Sequence, residues 1–137
     1  KGQKLGSYTL EYSILPYSKK NESDAFSLGY CFAYPQNIAI GTDKHPGVLP
    51  NEEDYVSFDN EYIRASAFKK KESGTSTVIR LFNTHTESVD LTITLGEAYK
   101  NASLITLGEE ELEALNVVNG KIALTVPAKK ILTIELK

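Results

Sequence analysis

The sequence predicts an all-β protein, an antiparallel β-sandwich with one short helix in its N-terminal third. Three observations lead there. Apolar residues alternate with polar ones over short runs, the period-two spacing of strands with one face buried. The runs recur roughly every 8 to 12 residues with turn-forming residues between them, a rhythm that fits a sandwich and allows immunoglobulin-like connectivity. No regular alternation of strand with helix occurs, which argues against a parallel α/β sheet.

The elements follow in order. Tyr8, Leu10, Tyr12 and Ile14 alternate with Thr9, Glu11, Ser13 and Leu15, predicting a half-buried strand. Pro16 ends it, because proline cannot donate to a ladder. Asp24 to Ala33 predicts a helix, capped by Ser23 or Asp24, with Leu28, Cys31 and Phe32 on one face and Pro35 as its stop. From Gln36 to Asp54 turn chemistry dominates, around Gly41-Thr42-Asp43, His45-Pro46-Gly47 and Pro50-Asn51, with Asn37 to Ile40 as a short strand. Strands then follow at Tyr55–Phe58, Ile63–Phe68, Thr77–Asn83, Val89–Leu95 and Ala102–Leu107. Glu109 to Leu115 has helix-forming composition but is too short to stand alone, so it reads as a solvated loop. Asn119-Gly120 between apolar alternations signals a tight hairpin, since both central residues need positive φ. Pro127 breaks the ladder and Ile131 to Leu136 forms the last strand. Ile79, Leu81, Leu91, Ile93, Leu124, Ile134 and Leu136 are the expected core.

The 137 residues suffice for one compact domain, divided here as 1–50, the closing strands and helix of a preceding sandwich, and 51–137, a small C-terminal sandwich. The net charge of -3 comes from interspersed acids and bases, which gives no reason to expect nucleic acid or an anionic membrane as partner. Lys69-Lys70-Lys71 reads as a solvated strand end rather than a phosphate site. No apolar run has the length needed to span a bilayer. The single cysteine, Cys31, cannot form an internal disulfide and is expected as a buried thiol. The absence of Met, even at position 1, suggests a piece of a longer chain, and the single cysteine leans towards the cytoplasm.

A self-sufficient enzyme should display its working groups, and few candidates emerge. No serine occupies a Gly-x-Ser-x-Gly turn. His45 and His85 each sit in a loop, and neither has the paired spacing of a zinc site. Glu52-Glu53-Asp54 lacks the regular spacing of a calcium loop. Glycoside hydrolysis needs two carboxylates flanking the sugar bond, and nothing singles out a pair among the 18 acids. Catalytic, metal-binding and cofactor-binding residues are therefore assigned to no position. Five tyrosines crowd the first quarter, but two sharing a strand face indicate core more than a sugar-stacking platform.

The order of short segments carries a resemblance. Tyr8-Thr9-Leu10-Glu11-Tyr12-Ser13-Ile14-Leu15-Pro16, Ile63 to Lys70, Val78-Ile79-Arg80-Leu81-Phe82-Asn83, Ala98 to Glu109 and Lys121 to Leu136 resemble, in that order, the C-terminal β region of family 38 α-mannosidases. The segment with Arg80-Leu81 is the clearest mark. Tyr17 stands where the family often has His, and Phe82 where Tyr is usual. The resemblance implies a zinc-dependent retaining α-mannosidase whose zinc ligands and aspartate nucleophile lie in an N-terminal domain, and no position of this chain matches them. It implies a non-catalytic module without a cofactor of its own, whose partners are the rest of that chain and, for the intact enzyme, an α-mannoside. Arg80 and Asn83 are then candidates for interdomain or cleft contacts, and the face left uncovered could drive self-association. The alternatives are an independent carbohydrate-binding module, or a free-standing enzyme working around His45 or His85.

Overall fold

In the computed structural model, residues 5–35, 37–40, 47, 50 and 52–137 are described. The chain divides into two compact units, Lys1–Asp43 and Lys44–Lys137. His45, the turn at 41–43 and Asn51 lie outside the described residues.

The first unit carries a 3₁₀ turn, Lys19–Asn21, leading into helix α1, Glu22–Ala33. The helical path starts earlier than Ser23 or Asp24 would dictate as caps. Asn21 Oδ1 accepts from the backbone N–H of Ser18 at 2.8 Å and from its hydroxyl at 2.9 Å, which fixes the entry. Glu22 and Asp24 then fall in the first turn, where the helix dipole favours negative charge. Tyr34 N–H donating to Tyr30 O closes the far end.

Three expectations fail in this unit. Residues 7–17 form no strand, and the alternating Leu10, Tyr12 and Ile14 are all more than 80% exposed. Residues 37–40 are likewise irregular and exposed. A strand exists only where a neighbour accepts its backbone hydrogen bonds, and period-two patterning supplies none by itself. Cys31 is exposed rather than buried, as are Leu28 and Phe32 beside it on α1.

The second unit is the sandwich. Strands β1 (Val56–Phe58), β4 (Val89–Leu95) and β7 (Lys121–Val126) form one antiparallel sheet in the order β1-β4-β7. Strands β2 (Ile63–Lys70), β3 (Thr77–Asn83), β5 (Ala102–Ile105), β6 (Glu111–Leu115) and β8 (Ile131–Leu136) form the other, in the order β2-β3-β8-β5-β6. Pairing of β2 with β3, β4 with β7 and β5 with β6 suits an immunoglobulin-type sandwich, but β8 enters between β3 and β5 and changes the strand order. The cause lies in the turn after β7. Pro127 interrupts the ladder, Lys130 N–H closes on Pro127 O, and Lys129 takes a positive φ of 54°, sending β8 to the opposite sheet.

Between the sheets lie Ile63, Ile79, Leu81, Ala102, Ile134 and Leu136 on one side. Leu91, Ile93, Leu95, Ile122 and Val126 face them from the other. Leu124 is only half-buried and packs at the margin, because in β7 the buried places belong to Ile122 and Val126. Residues 111–115 are a strand, not a solvated loop: pairing with β5 overrides their helix-forming composition. The hairpin at Asn119-Gly120 forms as expected, with φ of 51° and 71° and reciprocal bonds of 2.9 Å between Val118 and Lys121.

Candidate functional site

Part of the outward face of the five-stranded sheet is buried as well. Val78, Ser103, Ile105, Thr133 and Glu135 alternate with the core residues along their strands, yet all are buried. The β5–β6 turn contributes to the cover, since Leu107 O and the Glu109 carboxylate reach groups on β3 and β2.

Glu135 is the centre of this face. It is 3% exposed, on a central strand. Ser76 Oγ donates to its Oε1 at 2.5 Å, while Lys71 and Lys137 approach Oε2 at 2.9 and 3.3 Å. Burial pushes its carboxyl up, but the Ser76 hydroxyl, Lys71 and Lys137 together outweigh that and hold it below the ordinary glutamate value. Lys137 also reaches Glu111 at 3.0 Å and the Ser103 hydroxyl at 3.5 Å. The Glu111 bond foremost, opposed by desolvation, leaves its ammonium pKa raised.

A second ionic cluster lies nearby. Glu109, at a positive φ of 68°, accepts from Lys69 at 2.6 Å and from the backbone N–H of Glu72 at 2.7 Å. Those two bonds, that of Lys69 first, hold its carboxyl low. The basic run at 69–71 is therefore more than a solvated strand end. Lys69 and Lys71 each hold a carboxylate on the sheet's outward face, and Lys71 is mostly buried.

Beside Glu135 opens a groove of about 560 Å³. The β2–β3 turn lines it with Ser73, Thr75 and Ser76, and Thr77 follows at the head of β3. Tyr99 lines it too, its hydroxyl donating to Thr77 Oγ1 at 3.2 Å. Glu135 and Lys137 complete the polar lining, over the apolar Leu136.

The two residues singled out from sequence stand apart. Arg80 is half-buried on the outward face, its Nε 3.4 Å from Thr133 Oγ1 and its Nη2 3.5 Å from Leu107 O. Both distances are at the outer limit for hydrogen bonds, so its guanidinium keeps donor capacity to spare. Asn83 is 1% exposed and committed inward. Its amide nitrogen donates to the carbonyls of Glu87, Val126 and Pro127 at 2.8 to 3.1 Å, and its oxygen accepts from His85 N–H at 2.7 Å, an Asx turn. It ties the β3–β4 loop to the β7–β8 turn. The His85 ring packs at a tilt against Tyr62, ring centroids 4.4 Å apart, and its Nδ1 accepts from Glu87 N–H.

Among the described residues no three His, Cys, Asp or Glu side chains converge as a metal would require. None of the helices is long and apolar enough to cross a membrane, again among the described residues. Sequence reasoning passed over Glu135. The available signal was a charged residue inside an otherwise apolar final strand, with a lysine run elsewhere to meet it.

No curated protein and no solved structure matches the chain. A family model does, the glycosyl hydrolases family 38 C-terminal beta sandwich domain, over residues 62–134, a span from the start of β2 into β8. The chain therefore belongs to glycoside hydrolase family 38, of which it carries the C-terminal β-sandwich domain.

Proposed function

We propose that the chain is the non-catalytic structural and interdomain β-module of a zinc-dependent retaining α-mannosidase, with zinc and nucleophile supplied by a separate catalytic domain. The family match over residues 62–134 carries this reading. Two structural features support it. The buried carboxylate of Glu135 is engaged by Ser76, Lys71 and Lys137, an arrangement that stabilises a sheet rather than leaving that acid free for proton transfer. The strand-patterned segment Tyr8–Leu15 is exposed, as a strand completing a preceding sandwich would be when seen alone. Residues 1–50 then close that sandwich, 51–137 form the terminal one, and the isolated chain self-associates through its uncovered apolar surface. A single cysteine, Cys31, fits a reducing, cytoplasmic setting.

Hydrolysis of a chromogenic α-mannoside separates the readings. Activity in the full-length parent, dependent on zinc and absent from this chain, supports the module. Turnover by the chain itself, lost in His85→Ala, overturns it in favour of a free-standing enzyme. Of the two residues marked from sequence, Arg80 has the spare donors for an interdomain contact. Arg80→Ala in the parent should lower activity or melting temperature, and wild-type values for both would remove that role.

A further inference from the structure

The groove beside Glu135 is built from hydroxyls and balanced charge, and the strand framework holds both in place. Ser73, Thr75 and Thr77 carry hydroxyls that can donate and accept, while Ser76 and Tyr99, whose protons go to Glu135 and Thr77, keep acceptor lone pairs. Glu135 adds a buried carboxylate whose Oε1 accepts a single bond, from Ser76, leaving acceptor capacity. Lys137 adds an ammonium, 40% exposed, already facing two carboxylates. Lys71 and Lys137 are offset by Glu135 and Glu111, so the site carries no surplus charge to select an anion or a cation. A volume of about 560 Å³ exceeds what a single hexose ring needs and lies within the range of small-ligand sites.

We propose that this groove binds a neutral polyhydroxylated ligand, a hexopyranoside, through the hydroxyls of the β2–β3 turn and Tyr99. A pyranose offers vicinal hydroxyls that each donate and accept, which matches a lining of the same character better than a phosphate or an ammonium does. The choice of sugar as probe rests on the family assignment, while the groove's polarity does not.

The test is a titration of the ¹⁵N-labelled 137-residue chain with methyl α-mannoside, methyl α-glucoside and inorganic phosphate, read by amide chemical shifts. A hexoside should move the amides of residues 73–77 and 99 along a saturating curve, with phosphate leaving them in place. Tyr99→Phe and Thr77→Val should each weaken binding about fivefold while preserving the shifts of core strands. Absence of saturable movement up to about 100 mM hexoside, a concentration well above weak-site affinities, overturns the proposal. So does a response to phosphate alone, or unchanged affinity in both variants. Mannoside hydrolysis by the parent is not read in this titration. A silent groove with an active parent therefore removes only the groove, and a saturable groove with an inactive parent removes only the mannosidase reading.

Discussion

Asn83 shows how much one side chain can hold. Its buried amide shares two hydrogens among the carbonyls of Glu87, Val126 and Pro127, and its oxygen accepts from His85 N–H. Asn83→Ala would remove the link between the β3–β4 loop and the β7–β8 turn and would take a buried donor away from Val126 O. A loss of about 2–3 kcal/mol in urea denaturation is expected, beyond what side-chain volume alone explains. Glu135 acts through charge. Its folded pKa lies below the unfolded value near 4.5, so the native state binds its proton less readily than the unfolded chain. Its contribution is fully present above about pH 4.5 and is lost as pH falls through the lowered folded value. Asp59, held low mainly by the Thr92 backbone N–H, and Glu109 act with the same sign. Acid unfolding should therefore steepen below pH 4.5. Glu135→Gln should shallow that limb and lower neutral stability, both measurable by urea unfolding across pH. Neither role was legible in the sequence, because an Asn at a strand end and a Glu in a final strand look the same whether solvated or buried.

At the level of elements, legibility followed packing. In β4 the alternation Val89-Asp90-Leu91-Thr92-Ile93-Thr94-Leu95 maps residue for residue onto inward and outward places, so its bounds could be read directly. β3 and β8 were equally plain. β6 was not, since Glu111-Leu112-Glu113-Ala114-Leu115 favours helix locally and is a strand only by pairing with β5. Residues 8–15 show the converse: good strand patterning with no ladder partner among the described residues. The turn at Asn119-Gly120 was read from local chemistry alone, and local chemistry can test it. Gly120 sits at a φ of 71° and its carbonyl accepts from Leu95 N–H, linking the turn to β4. Gly120→Val should cost about 1–2 kcal/mol, seen as a lower urea midpoint with unchanged slope.

Across the whole chain, apolar burial is concentrated in the second unit, where the core cluster lies. In the first unit Ser23 is the one buried residue among those described, and side chains as large as Tyr12 and Tyr34 face solvent. Limited proteolysis should accordingly cut within residues 1–43 first and leave a resistant product inside 44–137, its start fixed by N-terminal sequencing. Cleavage spread evenly over both units would contradict that contrast. The sandwich class was legible because it depends on strand rhythm, which the sequence displays. The strand order was not, because it depends on which sheet the chain enters after Pro127.

That order has a consequence for synthesis. β8 is the last of the eight strands among the described residues to leave the ribosome, yet it sits in the middle of its sheet, hydrogen-bonded to β3 on one side and β5 on the other. Until it emerges, the β2–β3 and β5–β6 hairpins have no common partner, and each presents a bare backbone edge flanked by apolar side chains. The larger sheet can close only once β8 is present, so a chain stalled or clipped just before Ile131 would lose the keystone of that sheet rather than a dispensable margin.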